Sequence, residues 1–173
     1  MTEREVLNLL HDKLASEAGM NGGRRIERWI VAEKVRISAG LAGWGENVMR
    51  TADALAIDTW ISNGLELHGF EVKCSRSDWL AELHAPEKSE PFRAVCDRWW
   101  LVTSDRAIVG PGELPEGWGW MAPGSNGALR RVVTAPKMPE RRPVSRSLLA
   151  TMMRAAATTA LRRAPGNLQA ESA

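Results

Sequence analysis

The chain has 173 residues, 44% hydrophobic and 25% charged, with a net charge of +2. That is the composition of one soluble globular domain with its own core, and it excludes a chain that is polyionic throughout. The two cysteines, Cys74 and Cys96, give neither a disulfide framework nor a CxxC metal spacing, and no run reaches the roughly 18 apolar residues of a membrane span.

A cytoplasmic setting is therefore expected, because the cysteines suit a reducing compartment and Met-Thr-Glu-Arg-Glu is not a secretion signal. No membrane partner is expected. Thr2 and Glu5 have capping-box spacing, and Val6, Leu7, Leu10 and Leu14 follow at helical intervals. This N-terminal piece, residues 1–23, reads as a peripheral helix ended by Gly19 and Gly22-Gly23. A second helix is predicted over 24–36, with Ile26, Trp29, Ile30 and Val31 on its apolar side and Glu33 leaning toward the same interior. A Gly-rich loop, 40–45, follows.

Residues 48–60 alternate like a strand, with Asp53, Leu55 and Ile57 on one face. Ser62-Asn63-Gly64 signals a turn, so this strand should pair as a hairpin with 65–74. In that second strand Leu65, Leu67, Gly69, Glu71 and Lys73 share a face, which puts Glu71 and Lys73 roughly 7 Å apart on the same side. His68, Phe70 and Cys74 fall on the other face, where His68 is a structural histidine and Cys74 a buried, inert thiol. A register that sets Asp53 beside Glu71 would bring two carboxylates and an ammonium to one spot.

Ser77 is expected to cap a helix carrying Trp79, Leu80 and Leu83. A further helical turn over 91–96 leads into Trp99-Trp100-Leu101-Val102, a continuous apolar run typical of a central strand. The eight tryptophans read as packing residues rather than base-stacking platforms. Short strands are predicted at 118–121 and 129–133. An extended basic connector begins at 136, and a last helix, capped by Ser145 or Ser147, completes a unit spanning 136–164. The tail, 165–173, is expected to be disordered. Between Arg130 and Arg163 nine Lys/Arg face one acid, Glu140, which suggests a polyanion partner or simply a solvated basic surface. The element order gives a mixed central sheet flanked by helices, an α/β (α+β) core over 24–135.

Two acids on adjacent strands suit Mg²⁺ or Mn²⁺, which take hard oxygen ligands and keep several waters. Asp53 and Glu71 would be those ligands, the Val72 carbonyl could add a third, and Lys73 could orient or help deprotonate a water. On spacing alone, Glu71–Lys73 reads more readily as an edge ion pair and Asp53 as a turn or capping acid.

The arrangement Asp53…Glu71-Val72-Lys73, with Arg50 ahead of the Asp, resembles the PD-(D/E)XK nuclease superfamily. The strings Leu67–Leu83, Pro86-Glu87-Lys88, Cys96–Val102 and Glu113–Gly119 more closely resemble its small phage and bacterial members related to the MmcB-like DNA-repair nucleases. The resemblance covers roughly 24–157. It departs from the superfamily pattern at Ala52, where a Pro is expected.

The resemblance implies a restriction-endonuclease-like core and a DNA-hydrolysing enzyme, acting from the host cytoplasm if phage-encoded. Asp53 and Glu71 become metal ligands, Lys73 the catalytic lysine, and Glu33 an extra acid near the metal. Around them, Arg50, Ser75, Arg76, Lys88 and Arg93 are candidate DNA contacts, and Asp78 a candidate for orienting Lys73. Duplex-cutting relatives dimerise, so a homodimer is a further expectation; no organic cofactor is expected. Two other readings stay open: a non-catalytic nucleic-acid-binding module on the same fold, and an interaction protein working through its arginine-rich last helix.

Overall fold

A computed structural model describes residues 1–38 and 49–164. The predicted Gly-rich loop, the first residue of the predicted 48–60 strand and the 165–173 tail lie outside the described residues. The elements are α1 (Glu3–Ala15), β1 (Gly19–Asn21), β2 (Arg24–Ile26), β3 (Trp29–Ser38), β4 (Met49–Asp58), β5 (Leu67–Lys73), α2 (Arg76–Leu83), α3 (Glu90–Arg93), β6 (Arg98–Thr103), β7 (Trp118–Pro123), β8 (Leu129–Val133) and α4 (Arg146–Arg162). β1 and β2 form a small hairpin. The remaining strands make a six-stranded mixed sheet in the order β3-β4-β5-β6-β7-β8, antiparallel except for β5–β6 and β6–β7. Among the described residues no helix is long and apolar enough to cross a membrane.

The predicted 24–36 helix is a correction: these residues form β2 and most of β3. The apolar positions fit a helical spacing and an alternating one equally well. The β-branched residues decide it, since Ile30, Val31, Val35 and Ile37 lose χ1 freedom in a helix but pack well on a pleated surface. Paired with β4 from Trp29↔Asp58 to Ser38↔Met49, the strand puts Val31 on one face of the sheet and Ala32 on the other.

The first helix is also not peripheral. Its capping box forms as expected, and Val6, Leu7 and Leu10 are at most 1% exposed, packed with Phe70, Val72 and Trp100 on one sheet face. The opposite face is covered by Trp79 of α2, Phe92 of α3 and Leu148 of α4. Here α4 also shields the edge strand, because Thr159 Oγ1 accepts from the Glu33 N–H at 3.0 Å, removing an unpaired edge donor.

Trp99 and Trp100 point to opposite faces of β6. In register, Trp99 sits beside Gly69 of β5 and Trp100 beside Gly119 of β7. A Cβ at either glycine would penetrate the neighbouring indole. The two bulky rings at the sheet centre thus fit because each neighbouring strand carries no side chain there.

Candidate active site

The β4–β5 hairpin forms as the alternation predicts, through a helical turn at Ile61–Asn63 and Gly64 at φ 80°. Its register pairs Ala56↔His68 and Ala54↔Phe70. The Asp58 N–H donates to the Glu66 carbonyl at 2.9 Å, so the even-numbered pairs exchange backbone hydrogen bonds and Ala52↔Val72 would come next. The ladder stops before it. The Val72 N–H instead donates to Asp53 Oδ2 at 2.8 Å, so a side-chain carboxylate replaces the expected main-chain carbonyl. In an extended residue N–H and C=O face the same neighbour, which turns the Val72 carbonyl toward the Asp53 side as well.

The break in the β4–β5 ladder has a counterpart in β3. Lys34, opposite Asp53 between the pairs Glu33↔Ala54 and Val35↔Ala52, has φ 52°, a left-handed conformation that a residue with a Cβ rarely adopts. Its Nζ donates to Asp53 Oδ1 at 2.6 Å and forms an ion pair with Glu3.

On β5, Lys73 Nζ lies 2.6 Å from Glu71 Oε1 and 3.0 Å from Glu82 Oε2 of α2. Burial first, and then the Asp53 charge, push the Glu71 carboxyl up to about 8, with Lys73 pulling the other way. Burial also works against the Lys73 ammonium, but Glu71 and Glu82 outweigh it and hold the amine protonated above its ordinary range. Beside the burial of Glu71, the acids Asp53, Glu71 and Glu82 act on both groups in the sense of surplus negative charge, which an added cation would offset. A cleft of about 200 Å³ opens on this cluster, lined by Glu71, Glu82, Arg50, Thr51 and Lys88.

The Asp53 carboxylate thus meets the Val72 N–H, between Glu71 and Lys73 in the chain, and its charge acts on Glu71, while Arg50 and Lys88 line the cleft. Other candidates fall elsewhere. Glu33, expected on a helix near the metal, is on β3 and only 4% exposed. Arg4, His11 and Arg162 bind its carboxylate, and against its burial they bring it down to about 2. Arg76 pairs with Glu113 and donates to the Ile108 carbonyl at 2.8 Å, so it is not poised for a phosphate. Arg93 pairs with Glu90 and lies over Trp118. Ser75, not Ser77, is the α2 N-cap, accepting from the Asp78 N–H at 3.1 Å. Glu82, rather than Asp78, reaches Lys73.

Sequence reasoning missed Glu82 and Lys34. Glu82 lies one helical turn beyond Trp79, and these two are the buried residues of α2, whereas Leu80, expected on the apolar face, is 37% exposed. Lys34 was hidden by the helical reading of β3. Two other expectations hold in part. His68 is a buried structural histidine with Glu66 and Trp100 as partners, while Cys74 is only partly buried.

The residues suit a hard divalent cation: the Asp53 carboxylate at the Val72 N–H, the Glu71 carboxylate within reach of its charge, a carbonyl on the same side, and an ammonium already standing at Asp53 in a cation's place. Among the described residues no three His, Cys, Asp or Glu side chains gather into a metal-binding group, so the carbonyl and waters would have to complete the shell.

No family model and no curated protein matches the chain. Among solved structures, it is similar to a protein of unknown function from Silicibacter pomeroyi, with 20% identity over 79% of this chain and 77% of that one and a TM-score of 0.48.

Proposed function

We propose that the chain is a Mg²⁺- or Mn²⁺-dependent nuclease that hydrolyses phosphodiester bonds of DNA. The observation that supports this most is the diverted hydrogen bond from the Val72 N–H to Asp53, which holds a second carboxylate at the backbone between Glu71 and Lys73. Asp53 and Glu71 would hold the cation, with the Val72 carbonyl alongside. When bound, it would neutralise phosphate charge and lower the pKa of a water.

The chain's own groups supply the rest. Glu71 and Glu82 keep Lys73 charged, which suits it to donate hydrogen bonds to a phosphate oxygen or to an attacking water, rather than to act as a base. Arg50 and Lys88 at the rim would neutralise flanking phosphates. A cytoplasmic location accompanies this reading, and a homodimer would let two such sites address both strands of a duplex.

The test is incubation of wild type and Lys73→Ala with single-stranded, duplex and branched DNA, with Mn²⁺ present or chelated. The reading predicts cleavage that EDTA abolishes and that drops by at least about 100-fold in Lys73→Ala. Full activity in the variant, or no cleavage of any substrate, contradicts it. A second reading is favoured by the ion pairs that already engage both acids: a non-catalytic DNA-binding module. It predicts salt-dependent binding that chelators leave untouched.

A further inference from the structure

We infer that Lys34 is a built-in competitor for the cation at Asp53, released to Glu3 when the metal enters. The inference rests on the metal-dependent reading of the site. Three observations carry it. The Asp53 carboxylate has both oxygens engaged: Oδ2 by the Val72 N–H and Oδ1 by Lys34 Nζ, at 2.8 and 2.6 Å. A cation that binds Oδ1 and leaves the backbone bond in place meets the Lys34 ammonium on the same oxygen, and repulsion between the two positive charges favours the exchange.

Lys34 also has somewhere to go. Its Nζ already pairs with Glu3, whose side chain is 47% exposed in the first turn of α1. On losing Asp53 the ammonium keeps an ion pair and, being 39% exposed itself, gains water. It is not left buried without a partner, so the exchange is reversible.

Finally, the left-handed φ of 52° at Lys34 disfavours any side chain with a Cβ, and residues held in such conformations cluster where function demands the geometry. At this position a glycine would suit the left-handed backbone better. The lysine instead puts an ammonium at the open oxygen of Asp53, where it balances the charge of the metal-free site.

The consequence is a metal affinity set by two competing pairs. Removing the ammonium should tighten binding of the cation. Removing Glu3 should weaken it, because Lys34 is then committed to Asp53. A general loss of negative potential would weaken binding in any background, whereas the exchange makes the Glu3 effect depend on Lys34.

The experiment is Mn²⁺ titration without DNA, read by electron paramagnetic resonance. The proteins are wild type, Lys34→Met, Lys34→Gly, Glu3→Gln, the Lys34→Met/Glu3→Gln pair, and Asp53→Asn as control. Lys34→Gly suits the left-handed backbone, so it keeps the test valid should Lys34→Met unfold. Expected are about tenfold tighter Mn²⁺ binding in both Lys34 variants, weaker binding in Glu3→Gln, and no Glu3 effect once Lys34 is gone. Unchanged or weaker binding in folded Lys34 variants overturns the inference, as does a Glu3 effect that persists without Lys34. If Mn²⁺ binds no better to wild type and the Lys34 variants than to Asp53→Asn, the metal site itself fails. If binding behaves as expected but DNA stays uncut, only the nuclease reading fails.

Discussion

At the residue scale, the informative group is Glu71, whose carboxyl is displaced to about 8 by burial and by Asp53. A carboxyl that binds its proton more tightly when folded than unfolded stabilises the fold while neutral. That contribution is intact below about pH 4.5 and lost as pH rises toward 8. His68, which burial holds below its ordinary value, acts in the opposite sense below about pH 6.5. The clean window is therefore about pH 6.5 to 8. There the metal-free wild type should lose stability by at most about 1.4 kcal/mol per pH unit, and Glu71→Gln should remove that slope, as denaturant melts at several pH values would show. Added Mn²⁺ should restore wild-type stability at pH 8. The Glu71 and Lys73 positions were legible from period-two alternation alone, and so was Asp53. Its hydrogen bond to Val72 was not, since nothing in the sequence announces where a ladder ends.

At the element scale, β3 and α4 behave as one unit. The buried Glu33 carboxylate ties β3 to α1 through Arg4 and His11 and to α4 through Arg162, and Arg163 donates to Asn8 Oδ1 at 2.7 Å. Because these partners bring Glu33 down to about 2, its stabilisation is present above about pH 4.5 and lost as pH falls toward 2. Glu33→Ala strands the cationic partners and should cost roughly 3 kcal/mol at pH 7 in urea melts. Removing everything after 143 should destabilise the whole domain by uncovering β3, rather than delete a detachable docking helix. The sequence showed α4 well and left its cap between Ser145 and Ser147, of which the structure takes Ser145. It hid β3, because short apolar spacing fits both periods and only β-branching separates them. The Trp99–Trp100 run marked a central strand, but its two glycine partners needed the parallel register to be seen. Gly69→Ala should cost about 1–3 kcal/mol by overpacking against Trp99, measurable as a lower urea midpoint with unchanged slope.

At the scale of the whole molecule, the basic C-terminal third looks different folded than it does as a count. Arg131, Lys137, Arg141 and Arg162 are paired with Glu17, Glu66, Asp97 and Glu33, so part of the apparent polyanion surface is taken up by ion pairs within the fold, Lys137 and Arg141 tying down the connector and Arg162 the last helix. Arg130, Arg146 and Arg154 stay exposed, and Arg50 and Lys88 line the cleft. DNA affinity should accordingly rest on few phosphates. Arg50→Ala and Lys88→Ala should each lower the slope of log affinity against log salt by about 0.9 in a fluorescence-anisotropy titration. The fold class was readable because alternation, turn residues and caps agree along most of the chain. The partition of charges was not, since long-range ion pairs leave no local trace. What the functional account needs above all is one divalent cation shared by Asp53 and Glu71. Anomalous diffraction from crystals grown with Mn²⁺ measures this directly: the account predicts a single strong peak touching an oxygen of each acid. A peak elsewhere, or none at these two side chains under Mn²⁺ concentrations that support cleavage, would contradict it.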